Sequence, residues 1–85
     1  MPENRFEISD VFNIPGIGPV PVGKVVSGTI SVGMTAKYCS EDFTIEYIEH
    51  KHQRLHQATA GSLVGLKFKG KTNAKLRKGD VLLFE

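Results

Sequence analysis

The 85-residue sequence predicts a small all-β domain whose short strands close, or nearly close, into a barrel. Apolar and polar residues alternate with period two, and Gly and Pro interrupt the alternation at short intervals. No segment has the apolar period of a long helix. With no helix to cover a sheet face, six or seven short strands bury their apolar sides by curling around one core, which also removes exposed strand edges. An open sandwich is the competing architecture.

The first predicted strand ends at a turn over residues 15–18. Phe6, Ile8, Phe12 and Ile14 are separated by even numbers of residues, so we expect them to share the inward face. The Pro-Gly-Ile-Gly sequence then breaks the ladder, because proline lacks a donor and glycine adopts the dihedral angles of tight turns.

The second predicted strand places Val20, Val22 and Val26 on one face. Lys24 lies on that same face, so we expect the strand to leave the core partway along its length. Pro21 favours an edge position or a bulge, because it has no N–H to donate.

The remaining elements follow the same pattern. Further strands are predicted at 29–31, 34–39, 43–48, 63–69 and 81–84. In the fourth of these, Val64, Leu66 and Phe68 should point inward. The polar segment 49–59 lacks alternation and is predicted to be a long excursion containing one turn of helix, and residues 70–78 form a polar loop.

Composition predicts one folded domain over residues 1–85. Apolar residues make up 40% and charged residues 24%, which is ordinary for a globular protein. Cys39 is the only cysteine, so it is expected to be a small strand residue in a reducing compartment, with a reactive thiol as the alternative. The polar N-terminal residues and the short apolar run Val81–Phe84 predict neither a signal peptide nor a membrane span, and we expect a cytoplasmic protein.

Positive charge is concentrated in the second half of the chain. Residues 1–49 contain three bases and seven acids, whereas residues 50–79 contain eight bases and no acid. Lys67, Lys69 and Lys71 occupy alternate strand positions and share a face suited to tracking a phosphate backbone, which Arg77 and Lys78 extend. The alternative is that these lysines keep the surface soluble and discourage strand pairing.

Phosphate-binding and catalytic motifs are absent or incomplete. Residues 18–25 resemble a phosphate-binding loop, but Pro19 and Pro21 have no N–H to donate and Val25 stands where a hydroxyl would hold magnesium. No nucleophile is paired with a base, so we expect neither an enzyme nor a bound nucleotide or other cofactor.

Three histidines, His50, His52 and His56, lie close together in the sequence. Their spacing fits no standard zinc finger, and no cysteine pair accompanies them. We expect a solvated or RNA-facing cluster and no resident metal, with zinc binding as the alternative.

Four sequence blocks, taken in order, resemble the second domain of elongation factor Tu-type translational GTPases. They are Asp-Val-Phe at 10–12 before the turn at 16–18, Val-Gly-Lys-Val-Val-Ser-Gly-Thr-Ile at 22–30 followed by Val-Gly at 32–33, Ala-Gly-Ser-Leu-Val-Gly-Leu at 60–66, and Leu-Arg-Lys-Gly-Asp-Val-Leu at 76–82. The resemblance implies a six-stranded closed antiparallel β-barrel of the translation-factor domain 2 type.

In these relatives the barrel packs on a GTPase domain and meets the ribosome, and in tRNA carriers it helps to hold the aminoacylated acceptor end. Glu49 matches a glutamate that lies beside the terminal adenosine. The chain departs from the family at Ile17, where many relatives have arginine, and at Pro19 and Pro21, where relatives have Thr- or Val-like residues. These departures put acceptor-end recognition in question.

The leading functional hypothesis is a noncatalytic module that contacts tRNA or ribosomal RNA. The residues expected to contact RNA are Glu49, Lys51, His52, Arg54, Lys67, Lys69, Lys71, Arg77 and Lys78. The alternative is a protein-interaction module that docks onto a GTPase or another protein partner, and a third hypothesis is a homo-oligomer. No membrane partner is expected.

Overall fold

A computed structural model describes residues 3–70 and 75–85, and this part of the chain is entirely β-strand, turn and loop. The nine strands are β1 (Asn4–Ile14), β2 (Gly18–Ser27), β3 (Thr29–Ser31), β4 (Thr35–Tyr38), β5 (Glu41–His50), β6 (Gln53–Leu55), β7 (Gln57–Thr59), β8 (Leu63–Phe68) and β9 (Val81–Phe84). Within the described ranges there is no helix long and apolar enough to cross a membrane.

Six of these strands form a closed antiparallel barrel, which confirms the predicted fold. Hydrogen-bonded neighbours run in the order β4-β9-β1-β2-β8-β5, and β5 pairs with β4 to complete the ring. Strand β6 extends the sheet beyond β5, while β3 and β7 form a separate two-stranded sheet. All of the pairings are antiparallel.

The barrel encloses one apolar core in which aromatic rings from three strands contact one another. The Phe43 and Phe68 ring centroids lie 5.0 Å apart in an edge-to-face arrangement, and Phe84 stacks 6.4 Å beyond Phe68. Val64, Leu66 and Phe68 are all buried, so the inward face predicted for β8 is confirmed.

The predicted inward face of β1 is wrong beyond Ile8. Ile8 pairs with Gly23 and Asp10 pairs with Val22, which leaves Ser9 as the extra residue of a bulge. A bulge of one residue reverses which side chains face the core. Phe12 is therefore 53% exposed and Ile14 is 40% exposed.

The predicted face of β2 is also reversed. Pro21, Gly23 and Val25 are buried, whereas Val26 is 41% exposed. The valines alone suggest the opposite face. Gly23 identifies the crowded inward face, because a Cβ atom there would overlap the Glu7 carbonyl oxygen. The inward face of β2 is thus marked by Gly23, which lies between the buried Pro21 and Val25.

The predicted helical turn within residues 49–59 is absent, since the segment contains the end of β5 together with β6 and β7. The two-residue turn Lys51–His52 joins β5 to β6, with φ angles of 49° and 65°. Cys39–Ser40 joins β4 to β5 in the same way, with φ angles of 52° and 65°, so Cys39 lies in a turn and not in a strand. Positive φ at both central residues is the requirement of the type I′ hairpin.

Candidate functional site

The β1–β2 hairpin continues past the barrel as a two-stranded ribbon. We define the distal ribbon as residues 10–22. Pairing of β1 with β9 ends at Glu7, and pairing of β2 with β8 begins at Val22, so among the described residues the strands of the distal ribbon before Val22 pair only with each other. The ribbon thereby overhangs the outer surface of the barrel.

A groove of about 570 Å³ lies between the distal ribbon and the outer faces of β5 and β8. We call it the ribbon groove. Its lining residues are Phe12, Ile14, Val20, Val22, Tyr47, Glu49, His50, Lys51, Leu63, Val64, Gly65, Leu66 and Lys67.

The wall formed by the ribbon is apolar, and the floor of the groove has no side chain at its centre. Phe12 and Ile14 face the groove because the Ser9 bulge turns them away from the core, and Val20 and Val22 face it because they alternate with the buried Pro21 and Gly23. At the floor, a Cβ added to Gly65 would meet Val22 Cγ2 at 3.7 Å, which is ordinary van der Waals contact. Glycine therefore leaves space open at this point without being required by the backbone.

The opposite side of the groove combines an aromatic ring with a carboxylate. The Arg54 guanidinium lies 4.0 Å above the centroid of the Tyr47 ring, a cation–π contact that holds the ring in place. Glu49 is exposed and pairs across the sheet with Arg54 on one side and Gly65 on the other. The Glu49 carboxylate, which can accept hydrogen bonds from hydroxyl or amino groups, thus lies in the same groove as the planar Tyr47 ring.

His50 connects the β5–β6 hairpin to the start of β8. Its Nδ1 lies 2.7 Å from the Leu63 carbonyl oxygen. Because a carbonyl oxygen only accepts hydrogen bonds, Nδ1 carries the proton in this contact. The bond holds the adjacent Glu49 and Lys51 in place on the rim of the groove.

The predicted row of lysines on β8 is not equally available to a ligand. The Lys67 ammonium lies 3.2 Å from Glu46 Oε2 and donates a 2.8 Å hydrogen bond to the Phe68 carbonyl oxygen, and its side chain is only 16% exposed. Lys69 is exposed just beyond the strand. Lys71 lies outside the described residues.

Arg77 and Lys78 lie on the other side of the distal ribbon. Their turn precedes β9, and the Gly79 N–H donates to the Ile8 carbonyl oxygen at 2.7 Å, on the edge of β1 opposite to β2. The groove, in contrast, is on the β2 and β8 side. Of the predicted site residues, the structure brings Glu49, Lys51 and Lys67 into the groove, with Arg54 and His52 on the adjoining hairpin.

The turn before β9 is secured by Asp80. The Tyr38 hydroxyl donates a 2.6 Å hydrogen bond to Asp80 Oδ2, and the same oxygen accepts from the Arg77 N–H at 2.9 Å. These bonds favour the carboxylate, so the pKa of Asp80 is lowered, chiefly by Tyr38. The same hydrogen bond, with some desolvation, raises the pKa of Tyr38 to about 12.

The three histidines of the sequence do not assemble a metal site. Among residues 3–70 and 75–85, no three His, Cys, Asp or Glu side chains are grouped so that they could hold a metal ion. His50 is engaged with β8, while His52 lies in the β5–β6 turn and His56 follows β6.

Residues 18–83 match the family model of elongation factor Tu domain 2. The chain belongs to this family of translation-factor domains. It is 38% identical over 79 residues to elongation factor 1-alpha of Methanoregula boonei, covering 91% of this chain and 19% of that protein. Elongation factor 1-alpha of Saccharomyces cerevisiae is 37% identical, with coverages of 91% and 17%.

The fold comparison agrees with the barrel architecture. The elongation factor SelB of Methanococcus maripaludis superposes with a TM-score of 0.82 at 23% identity, covering 95% of this chain and 18% of that chain. The chain spans about a fifth of the length of the curated relatives it matches.

Sequence reasoning missed most of the groove. The lining residues not anticipated as functional are Phe12, Ile14, Val20, Val22, Tyr47, Leu63, Val64, Gly65 and Leu66. Gly65 carried a usable signal, because a glycine inside a strand often marks a place where a ligand approaches closely. The ribbon residues carried none, since period two alone assigns Phe12 and Ile14 to the core.

Proposed function

We propose that this chain is a noncatalytic translation-factor module of the cytoplasm that binds tRNA or ribosomal RNA, with an unpaired nucleotide of that RNA seated in the ribbon groove. The observation that carries the proposal is that the Tyr47 ring and the exposed Glu49 carboxylate line the same groove, where Glu49 pairs across the sheet with Gly65. Single-stranded RNA is recognised by stacking on aromatic rings and by hydrogen bonds from ribose hydroxyls. The proposed module binds no free nucleoside triphosphate such as GTP or ATP, and it needs no cofactor.

The charges beside the groove suit the phosphates that accompany a nucleotide. Lys51, His52 and Arg54 lie on the β5–β6 hairpin, with Lys69 at the far end of β8. Lys67, by contrast, is neutralised by Glu46, so we assign it to shaping the groove and not to a phosphate contact.

The backbone of the ribbon disfavours an extended peptide as the occupant of the groove. The Val25 N–H points toward β8, where it donates to the Ser62 carbonyl oxygen at 3.0 Å. Strand periodicity points the nitrogens of Gly23, Pro21 and Pro19 the same way. Proline has no N–H, so the groove-side edge of the ribbon lacks the donors with which a peptide strand would pair.

The test measures fluorescence anisotropy of labelled tRNA, aminoacylated and bare, at two salt concentrations. Gly65→Val fills the groove floor from a strand position, and we expect it to weaken binding about tenfold or more by blocking the stacked base. Unchanged affinity in a folded Gly65→Val protein would exclude the groove. A preference of the native chain for aminoacylated tRNA would assign the acceptor end as the occupant.

Two matched double variants test which basic residues contact the phosphates of the bound RNA. Lys51→Ala/Lys69→Ala and Arg77→Ala/Lys78→Ala each remove two positive charges, the first pair beside the ribbon groove and the second on the β9 side of β1, and both leave the Arg54–Tyr47 contact intact. We expect the first pair to reduce the slope of log affinity against log salt by about 1.5, and the second to leave it nearly unchanged. Equal effects would indicate non-specific attraction to the net charge.

A second candidate function is docking onto a GTPase domain. Val26, Val81 and Leu83 are each more than 40% exposed and, with Arg5 and Glu7, line a shallow depression on the outer face of β9, β1 and β2. Docking through these side chains would vary little with salt, unlike RNA binding. Calorimetric titration with an elongation factor GTPase domain, comparing the native chain with Leu83→Glu, distinguishes the two functions.

A further inference from the structure

The two edges of the distal ribbon differ in their capacity to pair with another strand. The β2 edge carries Pro19 and Pro21, whose nitrogens point outward without hydrogen. The β1 edge has no proline between Asp10 and Ile14. Proline is a recognised means of blocking an exposed edge, so the ribbon has one blocked edge and one open edge.

The register of β1 against β2 shows which backbone N–H groups of β1 point outward at the open edge. The Ile8 N–H donates to the Asp80 carbonyl oxygen at 2.8 Å, so it faces β9, and the Ser9 bulge then shifts the outward positions to Val11 and Asn13. Val11 pairs with Pro21 and Asn13 pairs with Pro19. Neither proline donates, which is consistent with non-hydrogen-bonded pairs in which Val11 and Asn13 point their backbone groups away from β2.

One of the outward donors is capped from within the chain. The Val11 N–H donates to Asp10 Oδ1 at 2.8 Å. Among the described residues, Val11 and Asn13 have no backbone partner across the open edge. The Asp10 carboxylate therefore competes with any strand that pairs with this edge.

We propose that two copies of this chain pair antiparallel through the open β1 edge, around a two-fold axis at Phe12. This inference does not rest on the proposed RNA binding, although Phe12 also lines the ribbon groove. The axis sets Val11 opposite Asn13 of the second copy and Asn13 opposite Val11, so that their N–H and carbonyl groups bond reciprocally on both sides of the axis. Asp10 then lies opposite Ile14, which brings no like charges together.

The side chain at the centre of this pairing is apolar and already exposed. Phe12 occupies the non-hydrogen-bonded position on the axis, where paired Cβ atoms lie about 4.5–5.5 Å apart and two phenyl rings contact each other. Its 53% exposure leaves the ring available for that contact.

Pairing through this edge gives a dimer and no larger assembly. Each ribbon has one open edge, and the proline-bearing β2 edge does not extend the sheet to a third copy. The contact is small, so we expect a reversible dimer with a dissociation constant on the order of 0.1–1 mM.

Sedimentation velocity between about 10 μM and 1 mM measures this equilibrium for the native chain, for two variants of Asn13 and for one variant of Asp10. Asn13→Pro removes an outward N–H that β2 does not use, and we expect the dissociation constant to rise about tenfold or more. Asn13→Ala keeps the N–H and changes only the side chain, so its constant should stay within about threefold of the native value. Asp10→Ala frees the Val11 N–H, and we expect dimerisation to tighten severalfold.

Either of two results would overturn the proposal: a native chain that is monomeric at 1 mM, or a folded Asn13→Pro protein that dimerises like the native chain. Should circular dichroism show that Asn13→Pro is unfolded, Phe12→Ala replaces it, because an exposed residue is removed without opening the core. A Phe12→Ala protein that dimerises as tightly as the native chain would then exclude this interface.

Discussion

Two glycines in neighbouring strands should respond in opposite ways to the same substitution. Gly23 of β2 pairs with Val64, and the next pair along the same ladder joins Val22 to Gly65 of β8. Neither glycine has a positive φ, so backbone conformation does not distinguish them. What differs is the space available to a methyl group.

A methyl group at Gly23 would overlap the carbonyl oxygen of Glu7 and approach the Cα of Ile8 at 3.1 Å. Both are backbone atoms of β1, so β1 and β2 would have to separate where they carry the core residues Phe6, Ile8 and Val25. Overpacking of this kind costs about 1–3 kcal/mol or more. Since 1 kcal/mol changes Tm by about 4–8 °C in a domain of this size, Gly23→Ala should lower Tm by roughly 10 °C or more.

The same change at Gly65 places the methyl group 3.7 Å from Val22 Cγ2, in the open ribbon groove. Replacing glycine by alanine without strain stabilises a protein by about 0.4–1 kcal/mol, because the unfolded chain loses freedom. We therefore expect Gly65→Ala to raise Tm by a few degrees. Thermal and urea unfolding followed by circular dichroism compares both variants with the native chain. Equal shifts in the two variants would refute the close approach of β1 to β2 at Gly23.

The other predictions concern the core, the turns and the Asp80 network. Phe68→Ala removes a ring that contacts two others and should cost about 3–5 kcal/mol in urea unfolding; a loss below 1 kcal/mol would contradict the aromatic core. Cys39→Asn/Ser40→Gly supplies the residues that a type I′ turn prefers and should raise stability by about 1 kcal/mol, seen as a higher urea midpoint at unchanged m-value. The lowered pKa of Asp80 gives stability that is present above its unfolded value and is lost as pH falls through the folded value, whereas the raised pKa of Tyr38 gives stability that is lost as pH rises toward 12. Tyr38→Phe should weaken both dependences, and acid and alkaline melts identical to the native chain would contradict this network.

Within the barrel, the sequence predicted the fold where one rule applied without interruption. On β8, Val64, Leu66 and Phe68 face inward because no bulge disturbs the alternation. The absence of helix in the described residues and the closure of the barrel were likewise predictable, because nothing but other strands was available to cover an apolar strand face.

The errors arose where the neighbouring strand decides the local geometry. The Ser9 bulge reverses the exposure of Phe12 and Ile14, and its position depends on the register of β1 against β2. Similarly, Lys51 and His52 form a tight turn without glycine or asparagine, so the β5–β6 hairpin carried no turn signal in the sequence.

The candidate site was anticipated in its charges but not in its shape. Glu49, Lys51 and Arg54 were named from the sequence and meet at the ribbon groove or beside it. Lys67 was expected to face a phosphate, yet the ion pair with Glu46 occupies it, because a bulge between Ile45 and Tyr47 sets Glu46 near that lysine.

Composition and alternation determined by themselves the all-β class, because each strand carries that pattern alone, and the order of the four sequence blocks favoured the translation-factor barrel over an open sandwich. Only the tertiary structure decided which residues form the groove, which lysine is neutralised and which edge of the ribbon is open. Those properties depend on strand register, and a shift of one residue exchanges the two faces of a strand without altering its sequence.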